Sequence, residues 1–263
     1  MLYSSLHMSS NTANKVAPKS ATKHGTVDEM FKVGAHYGFI KSRRHPTVKP
    51  FIFGTKNTVE IFNLELTEAQ LAKAEAFVQH IVGSGKQVLF ASSKSEIKDV
   101  LQRGAESCNM PFVAGRWIGG TFTNFEAIRR RADKLTDLIH QKETGQLNKY
   151  TKKERLLIDR DITRLQTLFG GIVSMKSLPG ALFVVDAKKE HIAVAEANDA
   201  GIPVVALCGS DNDIKVIKHP VVANDSSVDS MAYFISRISN AVKTAPKLNT
   251  DTTAPASPVV DSK

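Results

Sequence analysis

The chain has 263 residues, 42% hydrophobic and 23% charged, an ordinary globular composition that excludes disorder as the state of the whole. Its 35 Lys and Arg against 26 Asp and Glu leave +9 at pH 7 and an isoelectric point near 9.5, so a polyanionic partner is expected wherever that charge clusters. Two cysteines, Cys108 and Cys208, are too few for a disulfide framework or a CxxC metal site, and no apolar run reaches the roughly 20 residues that span a bilayer.

The opening MLYSSLHMSSNTANKVAPKSATKHGT has no continuous apolar core of the secretory kind. It carries no acid before Asp28 and no Arg, a composition that a weak organellar transit peptide would share in part. Residues 1–25 are expected to form a flexible extension, and residues 244–263, which include three prolines and no helical stripe, a disordered tail. The folded part is then 26–243. Within it the Ser/Thr-x-x-Glu/Gln box, in which two side chains satisfy free helix N–H groups, announces helix starts at Thr26, Thr67, Ser93, Thr123 and Thr151.

Residues 30–59, MFKVGAHYGFIKSRRHPTVKPFIFGTKNTV, hold six Lys and Arg and two His but no Asp or Glu. Aromatics and glycines are interleaved with them (Phe31, Tyr37, Gly38, Phe39, Phe51, Phe53, Gly54), and Pro46 and Pro50 bracket an extended loop. Glycine lets backbone approach phosphates, guanidinium groups bind them bidentately, and rings can stack on unpaired bases. Lys41, Arg43, Arg44, Lys49 and Lys56 are therefore the first candidates for RNA contact; the plainer alternative is that the rings dock the segment while the charges face water. FIFGTKNTVEIF reads as a hairpin around Gly54 to Asn57.

The runs QVLFAS (87–92), ALFVVD (181–186) and PVVALC (203–208) are apolar without alternation, as in a parallel sheet covered on both faces. Strand and helix alternate, which gives an α/β fold. One stretch breaks the rhythm: from Asn124 to about Gly170 there are two helical stripes and no strand, which predicts an antiparallel helical hairpin, about 123–171, with Gly170-Gly171 capping its second arm. It is entered through GRWIGGTFTNFEAIRRRADKL. There Gly119 and Gly120 are expected to turn the chain, Trp117 to wedge the junction, and Arg116, Arg129, Arg130 and Arg131 to lie near the root. Acids interleave along both arms, so a solvated surface and a phosphate-binding one remain equal readings.

Enzyme signatures are missing: no GxGxxG follows a strand, and neither GxxxxGK[ST] nor GxSxG occurs. Asp186 and Asp211, at strand ends, keep alive the alternative of a nucleotide-binding protein or enzyme, although capping and turn chemistry explain them as well. His36, His45 and Cys108 show no ligand spacing, so neither a metal nor a cofactor is expected.

RWIGGTFTN resembles the signature of the second small-subunit ribosomal protein family, ribosomal protein S2, of bacterial or organellar type. GAHYGFIKSRRHPTVKPFIFGTKNTVEIFNLELT, the stretch from Lys149 to Leu207 and HPVVANDSSVDSM are similar to the same family, so the likeness runs from about 28 to 240. Departures fall at Phe39, at Lys94-Ser95 where the family carries a basic pair, and in the loop 209–213. The resemblance implies a Rossmann-like, flavodoxin-like parallel sheet flanked by helices with a protruding helical hairpin, and a structural role in the small ribosomal subunit rather than catalysis. It implies contact with small-subunit rRNA, mostly phosphate and sugar, adding Lys94 to the candidates. It also implies docking of neighbouring ribosomal proteins, including the S-one protein, with no membrane and no small-molecule substrate, in the cytoplasm or, if the leader is a transit peptide, an organellar matrix.

Overall fold

Three apolar runs without a polar break, Val88–Ser92, Ala181–Val185 and Val204–Cys208, lie at the centre of a parallel sheet, and every residue in them is buried. The computed structural model describes residues 24–246, so the leader up to residue 23 and the tail from residue 247 lie outside the described residues. In chain order the elements are α1 (His24–Lys32), β1 (Tyr37–Ile40), β2 (Ile52–Lys56), β3 (Val59–Phe62), α2 (Leu64–Gly83), β4 (Val88–Ser92), α3 (Lys98–Ser107) and β5 (Phe112–Ala114). They continue as α4 (Phe125–Glu143), α5 (Lys152–Phe169), β6 (Ala181–Val185), α6 (His191–Asp199), β7 (Val204–Cys208), β8 (His219–Val222) and α7 (Val228–Lys243).

The five-stranded sheet runs β5-β4-β6-β7-β8, all parallel. Counted along the chain, that is the flavodoxin-like order, in which winding reverses at a switch point, here between β4 and β6. Alternate residues feed two cores. Phe90, Phe183, Val185 and Leu207 pack with Leu71 and Val78 of α2, Leu101 of α3 and Phe234 and Ile238 of α7. Leu89, Leu182, Val184 and Ala206 pack with Trp117, Ala193 and Ala197 of α6, and the hairpin residues Ile128, Leu135, Ile162, Leu165 and Phe169. Burial on both faces, worth about 1.5–3 kcal/mol for each large side chain, is why these strands show no alternation.

The expected hairpin exists, but its turn is Asn57-Thr58, both at positive φ (50° and 68°), and it pairs with β1 in a separate antiparallel sheet, β1-β3-β2. A small core of Val48, Phe62 and Val222 seats this sheet against the end of β8. His45 N–H donating to Ser210 O at 2.8 Å adds a second tie.

Helix starts correct the sequence reading. Only Thr151 forms the full reciprocal box with Glu154. Thr26 lies inside α1, the N-cap of α2 is Asn63, that of α4 is Asn124, and Ser93 precedes a 3-10 turn, Ser95–Ile97, rather than capping α3. Thr67 has other work: its hydroxyl donates to Val222 O at 2.7 Å, while Gln70 Oε1 accepts from Val222 N at 3.0 Å. These two side chains cover backbone groups on the open edge of β8, which would otherwise template strand addition. Gly170 is the C-cap of α5, as expected, its N–H donating to Gln166 O, but it is not left-handed. Gly170 is right-handed helical (φ −53°), and Gly171 is small because a Cβ there would lie 2.2 Å from the carbonyl oxygen of Phe112.

Candidate nucleic-acid interface

The helical hairpin is held at its root by one carboxylate. Glu196 of α6 is buried, and its Oε1 accepts from Gly120 N at 2.8 Å and Trp117 Nε1 at 3.2 Å, while Oε2 accepts from Phe122 N at 3.0 Å. Trp117 also packs edge-on to Phe122, ring centroids 5.2 Å apart. Gly120 sits at φ 91°, where a side chain is strained, so it makes the turn; a Cβ at Gly119 would meet only Glu196 Oε1, at an ordinary 3.9 Å. Sequence reasoning placed Trp117, Gly119 and Gly120 at this junction but missed Glu196, which in AVAEAND reads as a solvated helix position.

The ten cations singled out in the sequence divide by what they touch. Lys41, Arg43, Lys49, Lys56, Arg116, Arg130 and Arg131 are exposed. Arg43 lies over the ring of Phe39 at 5.6 Å, and Arg130 is 3.9 Å from Glu126, both ends in water and so weakly coupled. Arg44, Lys94 and Arg129 are turned inward, contrary to the expectation of a free RNA-facing charge. Arg44 pairs with Glu60, itself fully buried, at 3.0 Å. Arg129 donates to Val173 O at 2.6 Å, Met175 O at 3.0 Å and Asp133 Oδ1 at 2.6 Å, which ties α4 to the loop after α5.

Lys94 fills the switch point. It follows β4, and its ammonium lies 2.9 Å from Asp186, which follows β6, 3.8 Å from Asp225 Oδ2, and against Asp225 O. The crevice that takes nucleotides in folds of this winding therefore holds an internal ion pair. Asp186 Oδ1 also accepts from Lys189 N at 3.1 Å, and Asp211 pairs with Lys188 at 2.8 Å. Burial pushes the Asp225 carboxyl up to about 6 against the pull of Lys94, and pushes the Cys208 thiol up as well. Among the described residues no group of three or more His, Cys, Asp or Glu could hold a metal, and no helix is long and apolar enough to cross a membrane.

Fold and surface together define an α/β scaffold with flavodoxin-like strand order, a filled crevice, and exposed cations on a small antiparallel sheet and a helical hairpin. The profile of the family described as ribosomal protein S2 matches residues 30–245. The small ribosomal subunit protein uS2 of Opitutus terrae is 39% identical over 218 residues, 83% of this chain and 72% of the relative. That of Nitratiruptor sp. is 36% identical over 217 residues (82% and 81%), and that of Karelsulcia muelleri 37% over 218 (83% and 98%). The chain belongs to the ribosomal protein S2 family.

Proposed function

We infer that the chain is a structural constituent of the small ribosomal subunit, held to small-subunit rRNA and to other small-subunit proteins, and that its role is not catalytic. Family membership over residues 30–245 is the observation that carries this reading, and the filled switch-point crevice is in keeping with it. The alternative of a nucleotide site at Asp186 and Asp211 is not favoured, since both carboxylates are already paired with lysines.

Within that role we assign the RNA contacts to Lys41, Arg43, Lys49 and Lys56 on the small sheet and its loop, and to Arg116, Arg130 and Arg131 at the hairpin root. Their exposure supports the assignment, and the glutamate anchor gives the hairpin root a fixed position relative to the sheet. Neighbouring proteins in the assignment include the S-one protein where the host makes one. We place the assembly in the cytoplasm; an organellar matrix requires import, and N-terminal sequencing of the protein isolated from its host distinguishes the two.

The test is sedimentation of the tagged protein from its native host through a sucrose gradient, followed by a high-salt wash of the small-subunit peak. Co-migration that salt weakens is the expected result. Protein left wholly at the top of the gradient would overturn the reading.

A further inference from the structure

A cavity of about 610 Å³ opens between α6 and the loop that follows β7. Three segments fix its wall. The Asn198 side-chain amide donates to Val216 O at 3.0 Å, tying the end of α6 to the 3-10 turn Ile214–Val216. The backbone N–H of Ile214 donates to the Thr47 hydroxyl at 3.3 Å, tying that turn in its place to the loop that carries His45. The floor is aliphatic, built from Ala187, Val194, Ala195 and Val216, the last of them 49% exposed. A concave, mostly apolar site of this size with a few polar groups at its rim is what ligands and anchoring side chains fill.

The charge of the cavity is opposite to that of the molecule. The chain carries +9, yet the wall holds three carboxylates, Asp199, Asp211 and Asp213, and one ammonium, Lys188, which is already paired with Asp211 at 2.8 Å. Asp199 and Asp213 are left facing the cavity with no lysine or arginine of its wall to balance them. Lys189 and Lys215 are exposed close by in sequence but form no part of that wall. Two histidines complete the rim: His45 Nδ1 lies 2.7 Å from the Thr47 hydroxyl and 3.9 Å from Asp213, and His191 Nδ1 lies 3.2 Å from Lys188 O.

Asp199 also sits where the fold has no use for it. It is the last residue of α6, and the last turn of that helix contains no basic residue. The helix dipole favours cations at this end and disfavours acids. An exposed carboxylate there works against the helix, so a partner outside the chain is the better account of it.

These features select the occupant. RNA phosphates are repelled by the two unbalanced carboxylates, and an inorganic cation gains nothing from an aliphatic floor. A lysine or arginine side chain supplies both halves of the match, an apolar stem and a charged head.

We propose that this cavity docks a basic segment of a neighbouring small-subunit protein, with a lysine or arginine reaching Asp199 and Asp213 and an aliphatic residue beside it resting on Ala195 and Val216. The proposal rests on the ribosomal reading above and gives its protein–protein contacts a place and a chemistry.

The experiment puts a diazirine-bearing aliphatic amino acid at position 216 of the full chain in its native host, irradiates the isolated small subunits and reads the cross-linked peptides by mass spectrometry. Cross-links to a protein segment with a lysine or arginine beside an aliphatic residue are the expected result. Ala195→Phe, which fills the cavity from an exposed position, should abolish them. Asp199→Asn should lower their yield about two- to fivefold, the worth of one exposed ion pair, and Asp199→Lys should lower it further. All three variants should melt with the parent chain and stay in the small-subunit peak. Cross-links to rRNA, to a segment without lysine or arginine, or to no protein overturn the inference and leave the ribosomal role standing, as does a yield that Ala195→Phe and Asp199→Lys leave unchanged. A parent chain absent from the small-subunit peak overturns both.

Discussion

Gly120 donates its backbone N–H to the carboxylate of Glu196 at 2.8 Å, joining the hairpin entrance to α6 across 76 positions of sequence. The same carboxylate also takes Trp117 Nε1 and Phe122 N, so three donors, two of them buried, depend on one side chain. Glu196→Gln keeps a single acceptor oxygen and sets an amide against a donor, which should cost about 1–3 kcal/mol by denaturant unfolding. Glu196→Ala, which deserts all three donors, should cost more and speed amide exchange at Gly120 and Phe122.

The adjacent glycines should respond differently. Gly120 at φ 91° resists any side chain, and Gly120→Ala should cost about 1–2 kcal/mol. Gly119→Ala meets only Glu196 Oε1 at an ordinary 3.9 Å and should shift the unfolding midpoint little.

A similar contrast is expected where α5 ends. Gly171→Ala drives a methyl group into Phe112 O and should destabilise by about 1–3 kcal/mol or more, of the order seen for overpacking. Gly170→Ala, in right-handed helical conformation with its nearest neighbour the flexible Gln166 side chain at 3.4 Å, should be tolerated; thermal melts of the two variants side by side decide it.

Asp225 makes stability depend on pH. Its Oδ2 has no hydrogen-bond partner, and burial lifts its pKa from 3.8 to about 6. Between those values the folded chain holds a proton that the unfolded chain has released, so stability falls as pH rises through the window, by about 3 kcal/mol in all. Above pH 6 the loss is complete. Asp225→Asn removes this titration, so unfolding at pH 4 and pH 7 should show the variant gaining on the wild type as pH rises.

Inward and outward cations should separate by readout. Removing Lys49 or Lys56 should lower the log-log salt slope of rRNA binding by about 0.7–0.9 each, with stability unchanged. Arg44→Ala strands the buried Glu60 and Lys94→Ala strands Asp186 beside Asp225, so both should lose stability, about 3–5 kcal/mol where the abandoned charge is fully buried, and leave the slope alone.

What the sequence disclosed follows from how local the cause is. The three central strands and both hairpin helices carry their environment in their own pattern, continuous apolar runs or a single stripe, and were legible. The short strand β5 has three residues, and β8 contains Pro220, so neither offered a periodic signal. Thr67 and Ser93 carried the spacing of a cap, yet a tertiary partner claimed each: Val222 for the Thr67 hydroxyl, and Glu190, whose Oε1 accepts from Ser93 N at 2.5 Å. Among the cations, Arg43 and Arg44 are neighbours in sequence, and only the distant partner Glu60 makes one internal and leaves the other free.

The edge contacts of Val222 set a schedule for synthesis. Thr67 and Gln70 leave the ribosome that makes them 155 and 152 residues before Val222 does. At the usual 5–20 residues per second that is a wait of roughly 8–30 seconds, during which α2 has no outer strand to cover. The nascent N-terminal half thus spends that interval with the apolar side of α2 uncovered, and a holdase that binds such surfaces has its opening then, before release of the finished chain.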